Sequence, residues 1–415
     1  MNNIATPNSN CRICNNETFE EILDFGDLAL TGVFEIDGRG VQTAPMKLSR
    51  CVECGLVQLA NNYSAEYLYG ETYGYESHLN RSMVDHLQRK ALLLEELFLK
   101  SPGRKTVVDI ASNDGTLLSG YTSKNLDLVG IDPLIEVVGD YYPSSATKIK
   151  EFFTSDSYKS VISNEASLVT SLSVLYDLDD PIRFARDINS ILEEGGIWHF
   201  EQSYMPTMVE TLSYDTICHE HLLYLSMHDI QNILKESGFE IISASLNSIN
   251  GGSIAVTARK STSRTDYVNP PFVEFLLKNE IKAGYRDGSA LKRFANDATI
   301  HREELGALIA AYLDEGYEVF GLGASTKGNV LLQWLNLDSN KLQAIGDINP
   351  RKFGRQAPGT GIPIVSEEFL IEKFGQKSIA LVLPWHFRDG IVRNTGEYLG
   401  KGGNLLFPLP KIQLV

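Results

Sequence analysis

The residues best suited to chemistry lie together in the stretch Tyr214–Tyr224 and just beyond it. Three of the eight histidines, His219, His221 and His228, fall within ten residues, and Glu220 separates the first two. An imidazole next to a carboxylate is a proton acceptor that can work near neutral pH. The H-x-H spacing lacks the i,i+4 pattern of a helical metal site and is a weak metal signal. The stretch therefore indicates either a general base or a structural polar cluster.

Cysteines are the second chemically distinctive group. Four of the five form two C-x-x-C pairs, Cys11 with Cys14 and Cys51 with Cys54. Four thiolates complete the closed tetrahedral set that structural Zn²⁺ prefers, and they leave no open position for water or substrate. We therefore expect a zinc ion that stabilises the fold, and the acidic residues between the pairs disfavour a nucleic-acid-binding finger. The fifth, Cys218, is predicted to be a buried inert thiol rather than a nucleophile.

A first turn, Asp109–Gly115, follows the strand-like run KTVVDI and leads into a predicted helix. Asp132 ends the next predicted strand, where a carboxylate can accept both ribose hydroxyls of an adenosine. Asp114 crowds the turn and disfavours a pyrophosphate, so the turn suits the cationic S-adenosylmethionine better than NAD. A tight turn of an ordinary α/β protein is the alternative. The predicted cofactor-binding residues are Asp109, Ala111, Asn113, Gly115, Asp132, Pro133, Phe152 and Phe153. The two phenylalanines either flank an adenine or pack in the core.

A second turn, Gly321–Gly328, has small residues, two hydroxyls and a lysine but no acid. Backbone N–H groups, a helix N-terminus and Lys327 can converge there on a phosphate. With Arg351 nearby, this predicts one anion-binding pocket on an acidic protein, although a plain strand-to-helix turn is the alternative. The run Asn250–Ser253 predicts a hairpin turn that a ligand can approach. Trp385–Phe387 either lines the pocket or packs as buried aromatic side chains.

Alternating strands and helices must position these residues. The alternation starts at Thr106, turns antiparallel around Ile242–Lys260, gives way to helices over Val273–Gly316 and resumes at Tyr317. Such alternation predicts parallel, doubly wound sheets. The expected fold class is α/β, a small zinc-binding module followed by two Rossmann-like domains. The predicted boundaries are 1–70, 71–265 and 266–415.

Composition excludes several functions. The chain has 415 residues, with 37 Lys and Arg against 53 Asp and Glu, for a formal net charge of −16. So acidic a chain repels nucleic acid and anionic membrane surfaces. No run of about 20 apolar residues could span a bilayer, and no secretory signal is recognisable at the N-terminus. We expect a cytoplasmic, multidomain protein without nucleic-acid or membrane partners, as a monomer or small homo-oligomer.

The order of these motifs is informative as a set. Two C-x-x-C pairs are followed by a Y-G-Y-x-S connector, D-I-x-S-N-D-G, C-H-E-H, N-G-G-S and G-x-G-A-x-x-K-G. This series resembles, over essentially the whole chain, the S-adenosylmethionine-dependent C-methyltransferases that act on TDP-4-keto-deoxysugars. The resemblance implies an N-terminal zinc module, a middle methyltransferase domain and a C-terminal Rossmann-like domain that helps hold the nucleotide sugar.

The resemblance also implies residue roles. His221 is the base that removes a proton next to the ketone, Glu220 and His219 adjoin it, and Tyr75 of the connector points into the site. The implied substrate-binding residues are Cys218, Tyr224, Asn250, Gly251, Gly323, Ser325, Lys327, Arg351 and His386. Two positions depart from the family. Cys218 stands where the family has a tyrosine, and Tyr176 and Asp177 lie near the position where the family has a further histidine. Methylation of oxygen or nitrogen, or another base-catalysed reaction on a nucleotide sugar, is the alternative function.

Overall fold

The computed structural model describes residues 4–69, 75–139, 141–261 and 268–415. Part of the predicted connector, including Tyr73 and Gly74, lies outside these ranges, as does the predicted domain boundary at 265–266. Three main sheets contain four, seven and six strands. They confirm the predicted fold class, a small cysteine-containing module followed by two Rossmann-like α/β domains.

The N-terminal module is built on an antiparallel sheet. Its strands are β1 (Ala5–Pro7), β2 (Phe19–Ala29), β3 (Thr43–Cys51), β4 (Val57–Leu59) and β5 (Asn61–Tyr63). β2, β3 and β4 pair in sequence order, and β1 pairs with β5. In β3, Met46 and Leu48 are fully buried while Lys47 between them reaches solvent. This alternation gives the sheet one buried face.

The middle domain has a seven-stranded sheet. Two helices, α1 (Ala65–Leu68) and α2 (Arg81–Phe98), precede its elements, which are β6 (Lys105–Ile110), β7 (Leu126–Ile131), α3 (Ile135–Val138), β8 (Thr147–Ile149), α4 (Ser155–Val161), β9 (Ala166–Leu172), α5 (Pro181–Ile191), β10 (Leu192–Ser203), α6 (Met205–Glu210), β11 (Leu223–Tyr224), α7 (Met227–Glu236), β12 (Phe239–Asn247) and β13 (Ser253–Lys260). The sheet order is β12-β13-β10-β9-β6-β7-β8. β8, β7, β6, β9 and β10 are parallel, and β13 is antiparallel to both of its neighbours. The predicted antiparallel edge is confirmed.

One predicted element differs. The first turn does not open an α-helix at Gly115; a short 3-10 helix, Leu118–Gly120, follows instead. Gly115 has a φ of +86°, and a Cβ on Gly120 would lie 2.8 Å from the Ala91 side chain of α2. Two glycines in six residues weaken helix formation, and the close approach of α2 takes the space that a longer helix would fill.

The C-terminal domain has a six-stranded sheet in the order β16-β15-β14-β17-β18-β19. Its elements are α8 (Pro271–Ala283), α9 (Ser289–Asp314), β14 (Glu318–Leu322), α10 (Thr326–Trp334), β15 (Ile345–Asp347), β16 (Ile364–Ser366), α11 (Glu367–Lys373), β17 (Ser378–Val382), α12 (Arg388–Asn394), α13 (Gly396–Gly400), β18 (Asn404–Phe407) and β19 (Gln413–Leu414). All pairs are parallel except β18 with β19. Here the second turn does open a helix, since Ser325 caps α10 by accepting the Gly328 N–H at 3.0 Å.

One strand crosses between domains. β11, which follows the histidine-rich stretch of the middle domain, pairs antiparallel with β4 and completes the four-stranded sheet of the N-terminal module. The sheet that the cysteine pairs flank therefore fixes the backbone just after His221. Among the helices in the described ranges, none has the length and apolarity needed to cross a membrane.

Candidate active site

His221 has the geometry of a neutral proton acceptor. Its Nδ1 lies 2.9 Å from the carbonyl oxygen of Thr216. A carbonyl can only accept, so Nδ1 carries the proton and the lone pair is on Nε2. Burial and then the nearby Lys327 ammonium lower the pKa of His221 to about 3. The ring is therefore neutral at pH 7, with Nε2 able to take a proton.

The surroundings of His221 hold the ring in place. The Tyr176 ring contacts the imidazole, with centroids 4.2 Å apart. One residue further on, the Leu59 N–H of β4 donates to the Leu222 carbonyl at 2.9 Å. A small cavity beside the imidazole is lined by Tyr176, Ser203, Tyr204, Met205, Met208, Thr216, Leu223 and Tyr224. The Tyr224 hydroxyl is buried and has no hydrogen-bond partner among the described residues.

His219 and Glu220 face the N-terminal module. His219 is fully buried, with Nε2 3.3 Å from the Ala44 carbonyl and Nδ1 3.4 Å from Thr31 Oγ1. Both ring nitrogens of His219 therefore have protein partners, which is typical of a histidine that holds the structure together. Glu220 Oε2 accepts from Thr31 Oγ1 at 3.1 Å, and burial raises the pKa of the Glu220 carboxyl. Cys218 is fully buried, and burial raises the pKa of its thiol well above the ordinary value, which leaves it inert.

The first turn has a constrained backbone. Ala111, Asn113 and Gly115 have φ values of +54°, +48° and +86°. The Asn113 N–H donates to Asp132 Oδ2 at 2.9 Å, which joins the ends of β6 and β7. The Asn113 side chain accepts from the Ser77 N–H at 3.1 Å. The turn is thus bound to the connector on one side and to the end of β7 on the other.

The acids of this turn lie close to one another. Asp109 is buried and accepts from Thr170 Oγ1 at 2.7 Å. Burial first, and then the charges of Asp132 and Asp114, raise the pKa of Asp109 to about 7. Asp114 has His78 Nδ1 at 3.0 Å, whereas Asp109 and Asp132 form no salt bridge within the described ranges, which favours a cationic ligand.

The predicted adenine-flanking residues separate into two environments. Phe152 is 48% exposed, whereas Phe153 packs on Phe184 with ring centroids 5.5 Å apart. Pro133 follows Asp132, whose Oδ1 accepts the Leu134 N–H at 2.7 Å. Phe152 is thus free to contact a ligand, and Phe153 belongs to the core.

Lys327 brings the C-terminal domain to the histidine-rich stretch. Its Nζ donates to the Asn250 carbonyl at 2.7 Å, and among the described residues it forms no salt bridge. After burial, its charge is the next cause that lowers the pKa of His386 and of His221, and it also opposes the rise in the pKa of Asp215. Lys327 is therefore a half-buried side chain within electrostatic reach of all three groups.

Other predicted substrate-binding residues surround Lys327. A Cβ on Gly251 would lie 3.3 Å from the Trp385 ring, and one on Gly323 would lie 2.5 Å from Pro384. Both glycines have positive φ, so the two turns approach the 384–386 segment closely. Ser325 is used as the cap of α10. The Nδ1 atom of His386 is buried and has no hydrogen-bond partner among the residues described.

The connector contacts both the first turn and the C-terminal domain. Tyr75 is 44% exposed, and its carbonyl accepts from Asn113 Nδ2 at 3.2 Å. The next residue, Glu76, accepts from Arg351 Nη1 at 3.3 Å. Arg351 therefore forms an ion pair with Glu76 of the connector. Its guanidinium remains 39% exposed.

The four paired cysteines converge. Their sulfur atoms lie within 4.8 Å of one another, with Cys11 to Cys54 at 3.4 Å and Cys14 to Cys51 at 3.6 Å. Four sulfurs at about 2.3 Å from one tetrahedral Zn²⁺ lie about 3.8 Å apart, so the set fits the ion. In each pair the residue after the second cysteine turns left-handed, Asn15 with φ +59° and Gly55 with φ +79°.

Three residues at this junction, Asp215, Thr31 and Asn329, are not among those that the sequence predicted. Asp215 accepts from Trp385 Nε1 at 2.8 Å, and its Oδ1 is buried without a partner among the described residues. It lies in the histidine-rich stretch, so its position could have marked it. Thr31 and Asn329 could not have been found, because their contacts join residues nearly 200 and 300 positions apart.

Comparisons with known families follow the same three-part division. A model of a C-methyltransferase C-terminal domain matches residues 248–410. A methyltransferase-domain model matches residues 75–244, and a zinc-binding-domain model matches residues 11–69. The matched ranges leave only short stretches of the chain uncovered.

Among individual proteins, the C-methyltransferase NovU of Streptomyces niveus is 25% identical over 421 residues, which covers 100% of this chain and 99% of NovU. The CurJ carbon methyltransferase structure is 11% identical, covers 45% of this chain and 57% of its own, and has a TM-score of 0.34. The N-methyltransferase NodS from Bradyrhizobium japonicum, solved with S-adenosylhomocysteine, is 13% identical over 42% of this chain and 86% of its own, with a TM-score of 0.31. Structural scores this low support no inference about chemistry.

Proposed function

We propose that this chain, which matches the models of all three domains, is an S-adenosylmethionine-dependent C-methyltransferase that methylates a carbon of a nucleotide-linked 4-keto-deoxysugar. TDP is the nucleotide that we expect. The observation that carries the proposal is the environment of His221, a neutral imidazole that packs against Tyr176 of the middle domain and lies within electrostatic reach of Lys327 of the C-terminal domain. A base near an anion-favouring lysine suits removal of a proton from an anionic substrate.

His221 is the proposed catalytic base. The C4 ketone acidifies the proton on C3, and Nε2 of His221 accepts that proton. The Nδ1–H of His221 donates to the Thr216 carbonyl oxygen, with 2.9 Å between the nitrogen and the oxygen, and this directs the lone pair of Nε2 away from the backbone. Tyr75 and Tyr176 flank the site, and their hydroxyls are the proposed donors to the enolate oxygen. His219 and Glu220 are proposed to support the loop that carries the base.

The first turn is the proposed cofactor site. S-adenosylmethionine, when bound, supplies an electrophilic methyl group to the nucleophilic carbon. Asp132 is at the position to bind the ribose, Phe152 to flank the adenine, and Asp109 to favour the positive charge electrostatically. The backbone of Ala111, Asn113 and Gly115, together with Pro133, forms the surface that the cofactor contacts.

The second turn is the proposed site of the nucleotide sugar. Lys327 forms no salt bridge among the described side chains, and the more distant Asp215 only partly opposes the fall in its pKa that burial causes, so an incoming phosphate would stabilise this half-buried charge. Neutralising Lys327 would also remove its repulsion of the His221 imidazolium. The pKa of His221 should therefore rise toward neutrality when substrate binds, which strengthens the base where it is needed. Arg351, His386, Asn250 and Gly251 complete the proposed pocket, with Gly323 and Ser325 shaping the turn and with Cys218 and Tyr224 beneath the sugar.

Product analysis tests this function. The zinc-loaded protein is incubated with S-adenosylmethionine carrying a ¹³C methyl group and with a series of TDP-4-keto-deoxysugars. A product whose ¹³C methyl couples to a sugar carbon supports the proposal. A methyl attached to oxygen or nitrogen would assign the alternative chemistry, and methylation of none of the sugars would contradict the substrate class.

A further inference from the structure

A loop of the N-terminal module contacts the carboxyl group beside the proposed base. Thr31 Oγ1 lies 3.1 Å from Glu220 Oε2, and a Cβ on Gly32 would lie 2.0 Å from Glu220 Oε1. Both loop residues are buried. We propose that Thr31 and Gly32 are positioning residues that fix the location and the protonation of the Glu220 carboxyl. The N-terminal module then completes the active site, a role that rests on the proposed function of the neighbouring His221.

The loop is held in place by the C-terminal domain. Asn329 Nδ2 of α10 donates to the Thr31 carbonyl at 2.7 Å. One turn later, Gln333 accepts the Ala29 N–H at 2.7 Å and donates to the Ala29 carbonyl at 3.1 Å. The same helix begins at the turn that carries Lys327. The C-terminal domain therefore holds the N-terminal loop that contacts Glu220.

The hydroxyl of Thr31 can serve either protonation state of Glu220. His219 Nε2 faces the Ala44 carbonyl, so the proton of His219 is on Nε2, and Nδ1 is an acceptor 3.4 Å from Thr31 Oγ1. When Glu220 is ionised, Thr31 donates to its Oε2. When Glu220 is protonated, it donates to Thr31, which then donates to His219. Thr31 therefore contacts Glu220 in both states, and His219 Nδ1 gains a donor only when Glu220 is protonated.

The groups around Glu220 disfavour its charge. Its Oε1 is buried without a hydrogen-bond partner among the residues described. The titratable neighbours are Cys218, Asp177 and Tyr224, with His219 reached through Thr31. Cys218, Asp177 and Tyr224 are each either neutral or negatively charged. His219 could carry a positive charge, but burial lowers its pKa to about 4, so it is neutral at pH 7. The hydrogen bond from Thr31 is one of the contacts that lower the pKa of Glu220, together with the backbone at Glu220 and Gly32 and the Cys218 side chain.

Infrared difference spectroscopy during a pH titration tests the role of Thr31 without any substrate. The carbonyl stretch of protonated Glu220 is assigned by its absence in Glu220→Gln. Thr31→Val removes the hydroxyl at nearly constant volume and should move the midpoint of this band up by about one to two pH units. Thr31→Ser keeps the hydroxyl and should restore the wild-type midpoint. An unchanged midpoint in Thr31→Val would overturn the proposal.

A double-mutant cycle tests the role of Gly32. Gly32 has no left-handed φ, and the other nearest atom to its Cβ position, Thr326 Oγ1, is 3.5 Å away, so Glu220 is the main obstacle to an alanine. Gly32→Ala should lower the midpoint of denaturant unfolding in the wild type but not in Glu220→Ala. Gly40→Ala, at an exposed position of the same module, is the control and should have little effect. Equal losses in both backgrounds would refute the contact. Neither experiment depends on methyl transfer, so failure of the proposed function would leave their outcomes readable.

Discussion

Arg12 is expected to couple the cysteine-rich site to the active site, and its substitution is the sharpest test of that connection. Arg12 stands between the first two cysteines and is only 8% exposed. Its guanidinium donates to the Leu59 carbonyl at 2.9 Å, to the Asn61 carbonyl at 3.1 Å and to Asp179 Oδ1 at 3.1 Å. It therefore fastens the first C-x-x-C turn to β4, to β5 and to the middle domain.

The cost of Arg12→Ala can be worked out from these partners. The Asp179 side chain is 61% exposed and can be rehydrated, so its loss contributes little. The two backbone carbonyls are left without their donor, and each unsatisfied buried acceptor costs about 1–3 kcal/mol. Burial lowers the pKa of Arg12, so removing the charge recovers part of this cost. We expect a net loss of about 3 kcal/mol in the free energy of unfolding.

The effect on function should be uneven. β4 pairs with β11, and the Leu59 N–H donates to the Leu222 carbonyl next to His221. Loosening β4 should therefore displace the proposed base, while the proposed cofactor turn belongs to a different sheet. The rate of methyl transfer should fall, and the affinity for S-adenosylmethionine should stay close to that of the wild type.

Guanidinium chloride denaturation and calorimetric titration with S-adenosylmethionine measure the two quantities. Arg104→Ala is the matched control, because Arg104 is 64% exposed and pairs with Asp127 at the surface. That substitution should change stability by less than about 1 kcal/mol. If Arg12→Ala is as stable as Arg104→Ala, or if the affinity for S-adenosylmethionine falls as much as the turnover rate, Arg12 does not couple the two sites.

Three further predictions follow from the site. His221→Ala should lower kcat by about 10²- to 10⁴-fold, measured with the TDP-4-keto-deoxysugar that the wild type methylates. Lys327→Met should raise KM for the nucleotide sugar and should also move the acid limb of kcat/KM to higher pH. After burial, Lys327 is the next cause of the low pKa of His221, so its removal should raise that pKa. Because the imidazole must be neutral to accept a proton, a higher pKa means that activity is lost at a higher pH on the acid side. Elemental analysis should find about one zinc per chain, and Cys14→Ser should lose zinc and stability together; retention of the metal would refute the four-sulfur site.

Local spacing was enough to predict the cysteine site and the two turns. The C-x-x-C pairs bring their sulfurs together because each pair is one tight turn, and the two valines and the isoleucine of KTVVDI form the buried β6. The pairing of β11 with β4 was not predictable, because two residues of strand carry no pattern of their own. The same holds for Thr31 and Gly32, whose partner is almost 190 residues away.

Local spacing also led to one wrong expectation and left one choice open. A helix was predicted after Gly115, but the packing of α2 against Gly120 leaves room only for a 3-10 turn. The roles of Phe152 and Phe153 were interchangeable in the sequence, since adjacent residues point to opposite sides of an extended segment. Only the tertiary fold separates the exposed ring from the buried one.

Hydrogen exchange at the carbon next to the ketone is the most direct test of the central claim that His221 removes a carbon-bound proton. The TDP-4-keto-deoxysugar is incubated with the protein in deuterium oxide, with S-adenosylhomocysteine in place of the methyl donor, and deuterium in the sugar is followed by mass spectrometry. His199→Gln is the control, because His199 is also buried with a pKa lowered to about 3 but bonds to Thr257 within the sheet. Exchange by the wild type and His199→Gln, with none by His221→Ala, is the predicted result. Undiminished exchange by His221→Ala would contradict the assignment of the base.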